Sequence, residues 1–155
     1  MTLKQKIEFL KSNTPRLLEG LRAKTSPWWG SMTAQHMIEH LTASIEESTG
    51  KIASIVATPE ANLAGAKEWL MGDKEFKQNL KHPLLKDTLE PLKNKNIVEA
   101  YSKFVEELNH FFDVYAANPS QKNNHIGYGS LNFEEWVQCH YKHFTHHLKQ
   151  FDLIK

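Results

Sequence analysis

Apolar residues recur at helical spacing in several stretches of this chain, and no strand-like alternation persists anywhere. The first stretch, Leu3 to about Ala23, carries Leu3, Ile7, Phe9, Leu10, Leu17, Leu18 and Leu21. Thr14-Pro15 interrupts it as a cap-plus-first-turn signal, so it reads as two short helices or one kinked one. Ser26-Pro27-Trp28-Trp29-Gly30 then punctuates the chain. A second helix is expected from an N-cap at Thr33 to about Thr49, where Gly50 either ends it or permits a bend. Its stripe is Ala34, Met37, Ile38, Leu41 and Ile45. Residues 57–92 carry Pro59, Pro83 and Pro91 among many charges, and read mostly as a long crossover with a short helix near Glu60 to Leu70. The third helix is the plainest. Ile97, Tyr101, Phe104, Leu108, Phe111 and Tyr115 alternate steps of four and three until Asn118-Pro119. After a turn at Gly127-Tyr128-Gly129-Ser130, the last helix runs from Asn132 to about Phe151, and Asn132 with Glu135 forms a capping-box pattern.

The pattern predicts an all-α fold, and 155 residues suit one domain spanning 1–155. Lys plus Arg (19) nearly cancels Asp plus Glu (18), which gives no electrostatic reason to expect nucleic acid or an anionic membrane. The lysine-rich run from Lys74 to Lys95 alternates with acids and reads as solvated surface. A lone cysteine, Cys139, rules out an internal disulfide and reads as a small buried residue. No stretch approaches the roughly 18 continuous apolar residues of a membrane helix. The N-terminal residues lack a signal peptide's apolar core, so a cytoplasmic location is expected.

Nine histidines change the picture. On the last helix, at about 100° per residue, Phe133, Val137, Phe144, Leu148 and Phe151 share one face. His140, His143, His147 and Gln150 run along its edge, while Gln138, Lys142 and Lys149 fall on the side expected to meet solvent. His146 sits off the stripe, nearer the surface. His143 and His147 are an i, i+4 pair whose imidazoles can converge on one point, as zinc's nitrogen ligands must. A third ligand has to come from another helix. The second helix offers His40, with His36 one turn earlier as a competitor. The bland alternative is a set of packed histidines bonded to one another with no metal, since an HxxxH pair alone is a weak signal.

Two stretches resemble the DinB/YfiT-like superfamily of metal-binding four-helix bundles, in its DinB-like branch. Trp29 through Leu41 (WGSMTAQHMIEHL) is similar to that family's tryptophan, Thr-Ala-Gln and ligand-bearing helix, which places one ligand on His40. Glu135-Trp136 through His143-Phe144-Thr145-His146-His147-Leu148-Lys149-Gln150-Phe151 is similar to its closing helix, which places the other two on His143 and His147. With Pro91-Leu92-Lys93-Asn94-Lys95, the likeness spans most of the chain beyond residue 13. It implies a four-helix bundle with long crossovers and a homodimer. The segment His125-Ile126-Gly127-Tyr128-Gly129 departs from the family's proline-and-phenylalanine version.

Three neutral imidazoles would leave a divalent ion (zinc, nickel, manganese or iron) an open position, as catalytic sites do. Two chemistries follow: a low-molecular-weight thiol activated to attack an electrophile, or a water activated for hydrolysis of a small-molecule substrate. The second prefers a nearby carboxylate, for which Glu47 is the candidate. His36, His140 and Tyr141 are candidates to assist or orient. Trp28 and Trp29 either line an entrance or pack the start of the second helix. The resemblance implies thiol-dependent transferase or isomerase chemistry, as in characterised relatives of that superfamily, although its DinB-like branch has no settled activity to carry over. The expected function is thus a metal-dependent transferase or hydrolase, with a non-catalytic metal- or ligand-binding bundle as the alternative.

Overall fold

A Thr2 capping box starts helix α1 (Leu3–Glu8), which passes without a break through a π-helical turn (Phe9–Asn13) into α2 (Thr14–Glu19). Pro15 explains that turn. Proline has no N–H and its ring clashes with the carbonyl four residues back, so a locally wider helix relieves the conflict. Phe9 O is taken up instead by both the backbone N–H and the hydroxyl of Thr14. The helical run ends at Glu19, four residues short of the expected Ala23. The structure, a computed structural model, describes residues 1–79 and 88–155, so the part of the expected crossover around Pro83 lies outside the described residues.

Helix α3 (Ala34–Thr49) has the predicted bounds: Thr33 Oγ1 accepts from His36 N, and Gly50 closes the helix at φ 80°. Helix α4 (Glu60–Met71) occupies the short helical stretch read in the crossover. Helix α5 (Ile97–Ala117) is capped by Asn96, and α6 (Phe133–Gln150) by the Asn132–Glu135 box. The chain is predominantly helical. Helix α3 packs chiefly along α5, while α6 meets α1, α3 and α4. The buried interior joins Leu10, Ile38, Phe104, Phe111 and Phe144 from the stripes expected from periodicity, together with Trp136. None of the described helices is long and apolar enough to cross a membrane.

Three features differ from the sequence expectation. A short antiparallel hairpin, β1 (Asn123–His125) with β2 (Gly129–Leu131), stands where only a turn was expected. Its three-residue strands are too short to stand out as an alternation in the sequence, and outside bonds help to hold it. Asn123 Nδ2 donates to Ser48 O (2.9 Å), Ala57 N to Ile126 O (2.8 Å) and Trp136 Nε1 to Asn123 O (3.2 Å). Gln138 and Lys142, expected at the surface, are only 4% and 7% exposed because α4 covers them. Gln138 Nε2 donates to Leu70 O, and Lys142 Nζ donates to Trp69 O while lying over the Trp69 ring. Trp28 does not pack the start of α3; it is 74% exposed.

Buried charge adds a constraint of its own. Glu107 on α5 is fully buried and accepts from Lys103 (2.7 Å) and from Lys51. Burial alone would raise its carboxyl, but the bonds and charges of the two lysines outweigh burial and hold it below the ordinary 4.5. A carboxylate with a lowered folded pKa contributes stability above its unfolded pKa and loses it as pH falls through the folded value. Glu107→Gln should therefore cost about 1.5–3 kcal/mol at pH 7. In urea melts the gap to the parent should close progressively as pH falls below 4.5. A gap unchanged at acid pH would mean the charge contributes nothing.

Candidate metal centre

The helices bring three of the predicted side chains to one point. His40 projects from α3, and His143 and His147 project one turn apart from α6. His40 Nε2 lies 2.8 Å from His143 Nε2, and His147 Nε2 lies 3.1 Å from the same atom. All three donor atoms fall within 4.8 Å of one another, and no fourth His, Cys, Asp or Glu joins them among the described residues. A tetrahedral ion with Zn–N bonds of about 2.0–2.1 Å needs nitrogens roughly 3.3 Å apart. The two separations from His143, 2.8 and 3.1 Å, are near that edge, and the donor set of three imidazole nitrogens within 4.8 Å is compatible with a divalent ion. His36 is not in the group; its Nδ1 pairs with Thr33 Oγ1 at 2.6 Å.

The electrostatics suit a cation. Burial, then the neighbouring imidazoles, lowers His40 to about 4 and His147 to about 3, and holds His143 well below 6.5. At neutral pH the rings are uncharged and their lone pairs free of bound protons. Three imidazole nitrogens crowded at hydrogen-bond distance cannot all be paired by their own protons, whereas one cation satisfies all three. Behind the cluster, His147 Nδ1 meets Gln150 Oε1 at 2.7 Å.

The other candidates are dispersed. His140 is buried, with Nε2 2.8 Å from Ser48 Oγ, and burial takes it to about 3. Cys139 is buried and its thiol is pushed up to about 12 by burial and by Glu47, so it stays protonated. Tyr141 packs edge-on against Phe9. Glu47 is partly buried, which raises its carboxyl. It borders a separate cavity with Gly50, Ile52, Lys122, Asn123 and Asn124, and it is not one of the converging donors.

His146 lies at the rim of the cluster. Its ring centroid is 5.0 Å from that of His147, 5.6 Å from Trp29 and 6.2 Å from Phe76. His146 also lines a cavity of about 240 Å³, together with Trp29, Phe76, Tyr141, Lys142 and Thr145. The three converging imidazoles do not line it. Phe76 and Trp69 were not foreseen as neighbours of the site. Phe76 stacks on Trp69 at 5.5 Å and sits 6.4 Å from His143. The signal available was two aromatics in an otherwise charged, proline-punctuated stretch.

No curated protein matches the chain, nor does any solved structure. Over residues 10–153, however, it matches the family described as "Protein of unknown function (DUF1569)", and it belongs to that family.

Proposed function

We propose that this chain is a single-domain four-helix bundle of the DinB/YfiT-like type that holds one divalent metal ion on His40, His143 and His147 and uses it as a thiol-dependent transferase or a hydrolase. The observation that carries the reading is the convergence of three neutral imidazole nitrogens from two helices, His147 buried and His40 and His143 partly so, with no fourth His, Cys, Asp or Glu among the described residues. Three donors leave room for an exogenous ligand, the arrangement of catalytic sites, where a structural site is closed by four. Bound there, an ion supplies Lewis acidity that lowers the pKa of a coordinated thiol or water.

The chain's own part is to hold the imidazoles at fixed separations and to keep bulk water away. Phe76, Trp29 and His146 border the cluster on the side of the larger cavity. The thiol chemistry is favoured over hydrolysis because no carboxylate stands among the converging donors to manage protons. A low-molecular-weight thiol needs no such base once the ion has acidified it. On the resemblance the expected assembly is a homodimer.

The test compares metal-loaded, chelator-stripped and His143→Ala protein for consumption of small thiols in the presence of alkylating or unsaturated electrophiles. Faster thiol loss with the loaded protein alone is expected. Ester hydrolysis without thiol turnover would select the hydrolase chemistry. Absence of both across a broad panel would leave a non-catalytic metal-binding protein.

A further inference from the structure

Gln150 ends α6 and is only 4% exposed. One end of its amide lies 2.8 Å from the backbone carbonyl oxygen of Trp29, the other 2.7 Å from His147 Nδ1. A carbonyl oxygen accepts and never donates, so the group facing Trp29 must be the NH2. The amide oxygen is thereby turned to His147, and an oxygen there can only accept. His147 must therefore carry its proton on Nδ1. A neutral imidazole has one N–H, which leaves Nε2 with a bare lone pair aimed at His40 and His143.

We propose that Gln150 is a positioning residue of the metal centre: clamped by the Trp29 carbonyl, it locks His147 in the tautomer that presents Nε2 as a ligand. The clamp is built from more than one contact. Trp28 N donates to the Gln150 backbone carbonyl at 2.8 Å, so the segment carrying Trp28 and Trp29 is tied to residue 150 through both main chain and side chain. Gly30, at φ +77°, permits the approach, since a Cβ there would stand 2.9 Å from Gln150 Nε2. The orientation of the amide is thus dictated from outside the site. An outer hydrogen bond of this kind fixes ring direction and makes the ligating nitrogen more basic.

This inference rests on the metal reading above, and its test separates the two. Zinc is titrated into the full-length untagged protein and into Gln150→Leu and Gln150→Glu, and nitrogen NMR reads the His147 tautomer in the metal-free parent. The parent should show His147 protonated on Nδ1. Gln150→Leu, which loses both bonds, should bind zinc ~10–100-fold more weakly. Gln150→Glu keeps an acceptor for His147 but cannot donate to Trp29. It should hold the same tautomer and bind zinc at least as tightly as the parent, although the Trp28–Gly30 segment is loosened. An Nε2-protonated His147 in the parent would overturn the proposal. So would parent-like affinity in Gln150→Leu, or an equal loss in both variants, which would make the segment rather than the tautomer responsible. If the parent takes up no zinc, the metal reading fails, and the tautomer still decides the role of Gln150.

Discussion

Replacing His143 by alanine should abolish stoichiometric binding of a divalent metal, while His146→Ala should leave it nearly intact. The two residues are three apart on α6 and both lie near the cluster, which makes the contrast informative. His143 Nε2 is the shared neighbour of the other two donors, at 2.8 and 3.1 Å. His146 packs against Trp29, Phe76 and His147 through its ring and contributes no converging nitrogen. Loss of a ligand should exceed the ~10–100-fold effect of a lost outer hydrogen bond. The same contrast should appear in thermal melts. Free metal at 100 times Kd stabilises a folded state by ~2.7 kcal/mol, roughly 5–11 °C for a chain of this size. That shift is expected for the parent and His146→Ala, and none for His143→Ala. Equal loss in both variants would place the site elsewhere on the helix.

The second large effect concerns the packing between α5 and α6. Phe111→Ala should destabilise the fold by about 3–5 kcal/mol, a large share of the ~5–15 kcal/mol typical of a domain. Phe111 is fully buried, and its ring meets Phe112, Tyr115, Phe133 and His140 at centroid distances of 5.0–5.7 Å. Removing it opens a cavity between α5 and α6 under His140, whose Nε2 reaches across to Ser48 on α3. Val98→Ala, at a side chain 70% exposed on the same helix, should change stability by no more than ~0.5 kcal/mol. Urea unfolding of the pair measures the difference. Similar midpoints would mean that the Phe111 contacts add little.

The helices were legible because burial repeats with the helical period and because their ends carry side chains that bond the free backbone amides. Thr33, Asn96 and Asn132 are found as N-caps, and Gly50 takes the left-handed conformation that ends α3. The candidate ligands were legible for a related reason. Spacing alone puts His143 and His147 on one side of a helix, and the resemblance supplied His40 over His36. Long-range covering was not legible. Nothing local in α6 announces that α4 will lie over Gln138 and Lys142, whose ammonium sits over the Trp69 ring and donates to Trp69 O. Glu39 likewise accepts from Lys93 N, Asn94 N, Asn94 Nδ2 and Gln35 Nε2, contacts to the segment before α5 that no local pattern announces. Glu107 did carry a signal, since it falls within the apolar stripe between Phe104 and Phe111. The hairpin's strands carried none beyond the turn at Gly127 to Ser130, because much of what holds them comes from distant bonds to Ser48, Ala57 and Trp136.

The most direct measurement is elemental analysis of the protein purified without a histidine tag, beside His40→Ala prepared in the same way. About one equivalent of a divalent metal per chain, lost in the variant, is the expected result. Metal-free protein that still takes up no zinc, nickel or manganese on incubation would contradict it, and would leave His40, His143 and His147 as imidazoles packed against one another.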